Sequence, residues 1–263
     1  MRYVIGTRYR SCAIVIPIEA NKVCNIFIEV HDSKEPHCYL TKRFRMFNQG
    51  EKRNMVVQMP LTGNAVVCSI FDNPDDKDGN SPNFSCGKIK LMSLPSQLDV
   101  VDMTKNHMKE FIRFCGRFCF NAGSLPTFED KFYVSDAKHF RIKYVNTIMG
   151  DSQDEQLTPA RISKVTKVIE AAKSKFINMT VPGRFCILSH EYCHLFVNED
   201  MHDELEADLN GLSIYLGLGF PRIEAKEIFY STFYQSPTED NLVRLQHIEK
   251  FMDSYENIEQ KYL

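Results

Sequence analysis

The period of the apolar residues changes once along this chain, and that change restricts its fold more than any other feature. From Ser11 to about Pro95 the apolar residues fall in short runs: "CAIVIPIEA", "KVCNIFIEVH", "HCYLTKRFRMF", "NMVVQMPL", "NAVVCSIF" and "GKIKLMSL". Turn-rich pieces such as "NPDDKDGNSPN" separate them, which is the signature of strands. About six strands at this spacing predict a small β-sandwich or barrel-like sheet. Pro17 and Pro60 are expected at an edge or a bulge, because proline cannot donate to a ladder. After "LPSQLD" the spacing lengthens. Met103, Met108, Phe111, Ile112, Cys115, Phe118 and Cys119 come close to the i, i+3, i+4 period of an amphipathic helix ending at Gly123. "KFYVSD", "FRIKYV", "ARIS" and "VIEA" read as strands, and helices dominate from there on. The expected fold class is α+β, with a β-sandwich-like domain over 1–95 and an α+β domain over 96–263.

Composition narrows the function. With 263 residues, 43% hydrophobic and 25% charged, the chain is ordinary globular material and not disordered on a large scale. A net charge of −2 offers no electrostatic footprint for nucleic acid or an anionic membrane surface, since both require clustered Lys and Arg. No 18-residue apolar span exists, so no membrane helix is expected. The run after Arg2, Arg8 and Arg10 is broken by Pro17 and Glu19 and lacks a signal-peptide core. The nine cysteines form no CxxC pair and most have apolar neighbours, so they read as reduced, buried small hydrophobes. These features point to a cytoplasmic protein.

The stretch "ILSHEYCHLF", 187–196, carries the chemistry. Thr180 is a good N-cap and Pro182 suits a first turn, so a helix is expected from near Val181 to about Asn198. On it His190 and His194 share a face with Glu191 beside them, while Phe185, Leu188, Tyr192, Leu195 and Phe196 cover the opposite side. Two neutral imidazoles one turn apart can bind a metal from one helix, and the intervening glutamate reaches a metal-bound water without ligating. Alone the pentapeptide is only suggestive and needs a third ligand. Downstream, "MHDELEADLNGLSIYLGLG" predicts a second helix with a stripe of Leu205, Leu209, Leu212 and Leu216. Glu204 and Asp208 lie one turn apart on an adjacent face. Glu204 would complete a two-histidine, one-glutamate site, and Asp208 would accept the free ring N–H of a ligand histidine.

These motifs together resemble the gluzincin class of zinc metallopeptidases, which carries His-Glu-x-x-His on one helix and Glu-x-x-x-Asp on the next; "ELEAD" is close to the Glu-x-x-Ala-Asp form. The resemblance covers about residues 125–220. It implies a zincin-like second domain with an active-site helix pair and one Zn2+ held by His190, His194 and Glu204. It implies Glu191 as general base and Asp208 as the orienting carboxylate. The expected activity is cleavage of a protein or peptide, chiefly as an endopeptidase. In that class a strand bordering the cleft binds the substrate backbone, and "ARISKVTKVIEA" occupies the matching place in chain order. More loosely, "VPGRFCILSHEYCHLF" and "EADLNGLSIYLGLGFPRIEA" look similar to peptidases encoded by tailed phages of gut bacteria. The departure from the class is the oxyanion-stabilising group, which no motif places; Tyr230, Tyr234 and His247 are candidates.

Several other readings compete. His190 and His194 could be ordinary core histidines. A metzincin arrangement would use Asp200, but Val197 stands where glycine is required. His202 and Asp203 suit a surface position or the N-cap of the second helix. Cys193 is turned from the site, and Cys115 with Cys119 reads as a core stripe. "DNPDDKDGN", 72–80, has the oxygen content of a calcium loop but not its twelfth-position glutamate, and reads as a hairpin loop. "QHIEKFMDSYENIEQKYL" is expected to form a solvated helix with Ile248, Met252 and Ile258 inward. The alternative to a peptidase is an assembly protein, with zinc as a staple and the β domain docking a protein partner.

Overall fold

The computed structural model describes residues 1–75, 77, 82–94, 106–150, 158–235 and 237–255. The chain is α+β, 34% helical and 30% strand, and divides into two compact units, Met1–Pro95 and Ser96–Tyr255.

The first unit holds two open antiparallel sheets. One orders β1 (Arg2–Gly6), β6 (Ala65–Phe71), β3 (Cys24–Asp32) and β4 (Tyr39–Phe47) as β1-β6-β3-β4. The other sets β2 (Cys12–Ala20) between β5 (Lys52–Met59) and the short strands β7 (Phe84–Cys86) and β8 (Lys90–Ser93). Alternation decides the faces: Ile26, Ile28 and Val30 of β3 are fully buried while Phe27 and Glu29 between them are not. β2 is buried on both faces, because Ala13 and Val15 join a separate cluster with Val56 and Leu94.

Two expectations change here. Pro17 lies in the central strand, not at an edge. It sits where pairing with β8 (through Val15) gives way to pairing with β7 (from Ile18), so its missing N–H breaks no continuous ladder. Pro60 does follow the last residue of edge strand β5. Strands β1 and β7 escape pattern reading because one is short and charged and the other has three residues. The acidic hairpin 72–80 lies partly outside the described residues; Asp72 within it accepts hydrogen bonds from the backbone and side-chain N–H groups of Asn83 at 2.7 and 2.8 Å.

Among the described residues, the second unit sets six helices against a mixed sheet ordered β11-β12-β10-β9, from β9 (Tyr133–Val134), β10 (Arg141–Val145), β11 (Ala160–Ile162) and β12 (Val168–Ala172). Only β10 and β12 run parallel, and β11 is an edge. The helices are α1 (Asn106–Asn121), α2 (Lys173–Phe176), α3 (Val181–Phe196), α4 (Glu204–Gly217), α5 (Arg222–Gln235) and α6 (Glu239–Ser254). The amphipathic helix read over 101–122 is described as α1, its expected first residues lying outside the described ones.

Helix α3 is the centre, packed by α1, α4, α5 and β11. Thr180 caps it, its hydroxyl accepting from Gly183 N at 3.3 Å. Arg184, fully buried, donates to Phe176 O and Cys119 O, both at 2.7 Å. Those are carbonyls from the ends of α2 and α1, the first shared with the Met179 N–H, so one guanidinium fastens α3 to both. The C-terminal helix begins earlier than the sequence suggested, at Glu239 capped by Thr238, and buries Ile248 and Met252; Ile258 lies outside the described residues.

Candidate metal centre

Helix α3 is not exposed on its histidine side; that side lines a cleft of about 440 Å3. Helix α4 reaches it through a short connection, 197–203. Asp203 caps α4 by accepting from Glu206 N at 2.8 Å, which makes Glu204 the first helical residue and aims it back at α3. The leucine stripe expected on α4 is only half right: Leu212 and Leu216 are buried, whereas Leu205 and Leu209 are partly exposed. Where α4 meets α3 it is small, with buried Ala207 and with Gly211 against the backbone of His190. Small residues let the two backbones approach closely enough for side chains of both helices to meet.

They meet at one point. Nε2 of His190 and Nε2 of His194 are 3.1 Å apart on rings that stand perpendicular. The Glu204 carboxylate lies 3.5 Å from the first nitrogen and 3.6 Å from the second. One donor atom from each of the three residues falls within 4.8 Å of the others, a set that could hold a metal ion. The outer ring nitrogens are turned elsewhere. His194 Nδ1 is 3.0 Å from Met201 O, the right partner for an N–H donor. His190 Nδ1 is 2.9 Å from Asp208 Oδ1, close enough for an ion pair though not aligned as a hydrogen bond. With both Nδ1 atoms facing acceptors, both Nε2 lone pairs are left to converge inward, which is what ligation requires. The donor set of two imidazoles and a carboxylate fits a divalent cation that accepts mixed nitrogen and oxygen ligands.

Electrostatics follow from the crowding. Burial works against a charged His190, but Asp208 and Glu204 outweigh it and push its pKa up to about 10. Burial lowers His194, and the neighbouring His190 lowers it further. Contact with His190 holds Glu204 down at about 2. Glu191 is buried beside the ligands and burial raises its pKa to about 6, against the pull of His190 and of a hydrogen bond from the backbone of Ile162 on β11.

The structure therefore brings His190, Glu191, His194, Glu204 and Asp208 to one cleft. It also adds Arg244, on α6, which sequence reading overlooked. Its Nε donates to Asp208 Oδ2 at 2.7 Å, one terminal nitrogen lies 3.5 Å from Glu204 Oε2, and the guanidinium covers the Phe233 ring at 4.8 Å. No local signal marks this arginine; only the docking of α6 brings it here. Met201 O was equally hidden, because a backbone carbonyl has no sequence signature. Tyr230, Tyr234 and His247 do not line the cleft: Tyr230 OH bonds Glu249, Tyr234 stacks on Tyr230, and His247 is exposed. Cys193 is buried away from it, and among the described residues all nine cysteines are free thiols. His202 is on the surface, its Nδ1 2.8 Å from Lys164 Nζ.

No protein-family profile matches this chain, and no curated protein or solved structure does either. Among the described residues no helix is long and apolar enough to cross a membrane.

Proposed function

We propose that the second unit is a zinc-dependent peptidase of gluzincin type that cleaves peptide bonds, with His190, His194 and Glu204 as ligands. One observation carries this reading: three donors of the right chemistry converge beside a buried carboxylate, Glu191, that is not needed as a ligand, and all four face a cleft edged by β11. A staple alone would have no use for that carboxylate. Zinc in such a site supplies acidity to a water molecule and polarisation to a carbonyl. This chain's residues do the rest. Asp208 and Met201 O hold the two histidines in the tautomer that leaves Nε2 free. Glu191, buried beside the ligands, takes a proton from the attacking water and returns it to the leaving amine. As the edge strand bordering the cleft, β11 is placed to offer main-chain hydrogen bonds to an extended substrate.

A second reading has one observation in its favour. No tyrosine lines the cleft, and its only histidines are the two ligands, so the usual neutral oxyanion donors are missing among the described residues. In that case the protein is a zinc-stapled assembly component, such as a phage virion protein docking a partner through its β unit, with little or no turnover. Incubation of the zinc-loaded protein with an unfolded protein substrate separates the two. Cleavage stopped by a chelator and restored by zinc supports the peptidase; a zinc-loaded protein that leaves every substrate intact sinks it.

A further inference from the structure

Electrostatic bookkeeping inside the cleft points to a substrate. Among the described residues four cationic side chains line it, Arg161, Lys164, Lys175 and Arg244. Arg161 is paired with Glu170 at 2.7 Å and Arg244 with Asp208 at 2.7 Å. The two lysines differ. Lys164 Nζ lies 2.8 Å from a ring nitrogen of His202 and has no carboxylate partner among the described residues. Lys175 has no hydrogen-bonding or carboxylate partner among the described residues. The three acids of the lining, Glu191, Glu204 and Asp208, are all engaged with the metal centre. A divalent cation would add two further positive charges, so the described lining of the loaded cleft is net cationic in a chain whose net charge is −2.

The lysines are also placed in register with the edge strand. Ala160 of β11 pairs with Ala171, and α2 starts at Lys173, so Lys175 stands by the N-terminal end of β11. Lys164 follows the other end, two residues past Ile162, whose backbone reaches Glu191. Three strand residues span about 10 Å. An extended peptide lying along β11 would therefore pass Glu191 with an ammonium group within a few residues on either side. Ile187, Ile228, Phe229 and Phe233 add apolar surface to the lining, beside Ser231, Thr232 and Gln235.

We propose that the cleft selects extended peptide segments that alternate apolar and acidic side chains, with Lys164 and Lys175 receiving carboxylates on opposite sides of the scissile bond. This rests on the reading above that the cleft receives a peptide, but not on turnover. The test uses zinc-loaded, turnover-blocked Glu191→Gln protein and a fluorescently labelled peptide of about ten residues, alternating Glu and Leu, beside its Gln–Leu counterpart. Exposed ion pairs are each worth a fewfold in affinity, so the acidic peptide should bind about tenfold tighter at low salt. That preference should fade in about 0.5 M salt. Lys164→Gln or Lys175→Gln should each reduce the preference about threefold, with zinc content and thermal midpoint unchanged. Equal binding of the two peptides, or a preference that survives loss of both lysines, overturns the proposal. If the acidic peptide binds as expected but wild-type protein cleaves neither, the peptidase reading fails and the binding preference stands.

Discussion

Gly211 lies directly against the backbone of His190. A methyl group at this glycine would come 2.9 Å from the amide nitrogen of His190 and 3.0 Å from its Cα, and neither is a flexible side chain that could move aside. The first ligand therefore sits where α3 and α4 approach most closely. Gly211→Ala should force the helices apart and cost about 1–3 kcal/mol, the usual range for overpacking. It should also weaken zinc binding, since Glu204 rides on the displaced helix. Urea denaturation of the metal-free protein and a chelator competition measure the two effects; unchanged values in both would contradict the close approach.

Ligand and base are separable by mutation. His194→Ala and Glu204→Ala should each lose the bound zinc, read as metal content of purified protein. Glu191→Gln should keep one zinc per chain and lose turnover by at least about 100-fold, the scale of general acid–base catalysis. Zinc lost from Glu191→Gln would show that this carboxylate is a ligand instead.

Arg244 and Asp208 act on the ligands together. Asp208 is almost wholly buried, and Arg244 is the guanidinium that compensates its charge. Removing an outer partner of this kind typically weakens a metal site about 10–100-fold. Arg244→Ala and Asp208→Ala should each fall in that range, and the double variant should lose much less than the product of the two. Strict multiplicativity would mean the residues act independently.

A pH effect is expected far from the metal. Burial tends to raise the Glu110 carboxyl on α1, but hydrogen bonds from Ser135, His139 and the Ala137 N–H outweigh it and hold it below the ordinary carboxylate range. A carboxyl lower in the folded state than in the unfolded one stabilises the fold above its unfolded pKa of about 4.3, and that contribution fades as pH falls through the folded value. Glu110→Gln should cost about 1–2 kcal/mol near neutrality and progressively less as pH falls below about 4, because the ionised acceptor is what the bonds require. Urea midpoints of the metal-free proteins across that range check it; a pH-independent difference would refute it.

Legibility in the sequence followed the length scale of each signal. The α3 and α4 helices were readable because their caps, Thr180 and Asp203, and their periodicity are local. His190 with His194 and Glu204 with Asp208 could be singled out because each pair is separated by about one turn of a single helix, and Glu191 because it adjoins the first histidine. What pattern could not reach is made by tertiary packing. Arg244 comes from a helix that starts 35 residues after Glu204, where no periodicity specifies which neighbour it will meet. Pro17 illustrates the reverse error: the rule that proline avoids central strands holds for a continuous ladder, and here the ladder is divided between β7 and β8. The stripe on α4 misled because leucine spacing identifies an apolar face, while close helix contact selects for glycine and alanine.

The connection 197–203 is fastened at two points near its α4 end: His194 holds it through Met201 O, and Asp203 caps the helix on which Glu204 comes first. Its length thus functions as a ruler. Adding or removing one residue would swing the carboxylate by about 100° around the α4 axis or break the cap, so the distance counted along the chain is as much a part of this pocket as the side chains that line it.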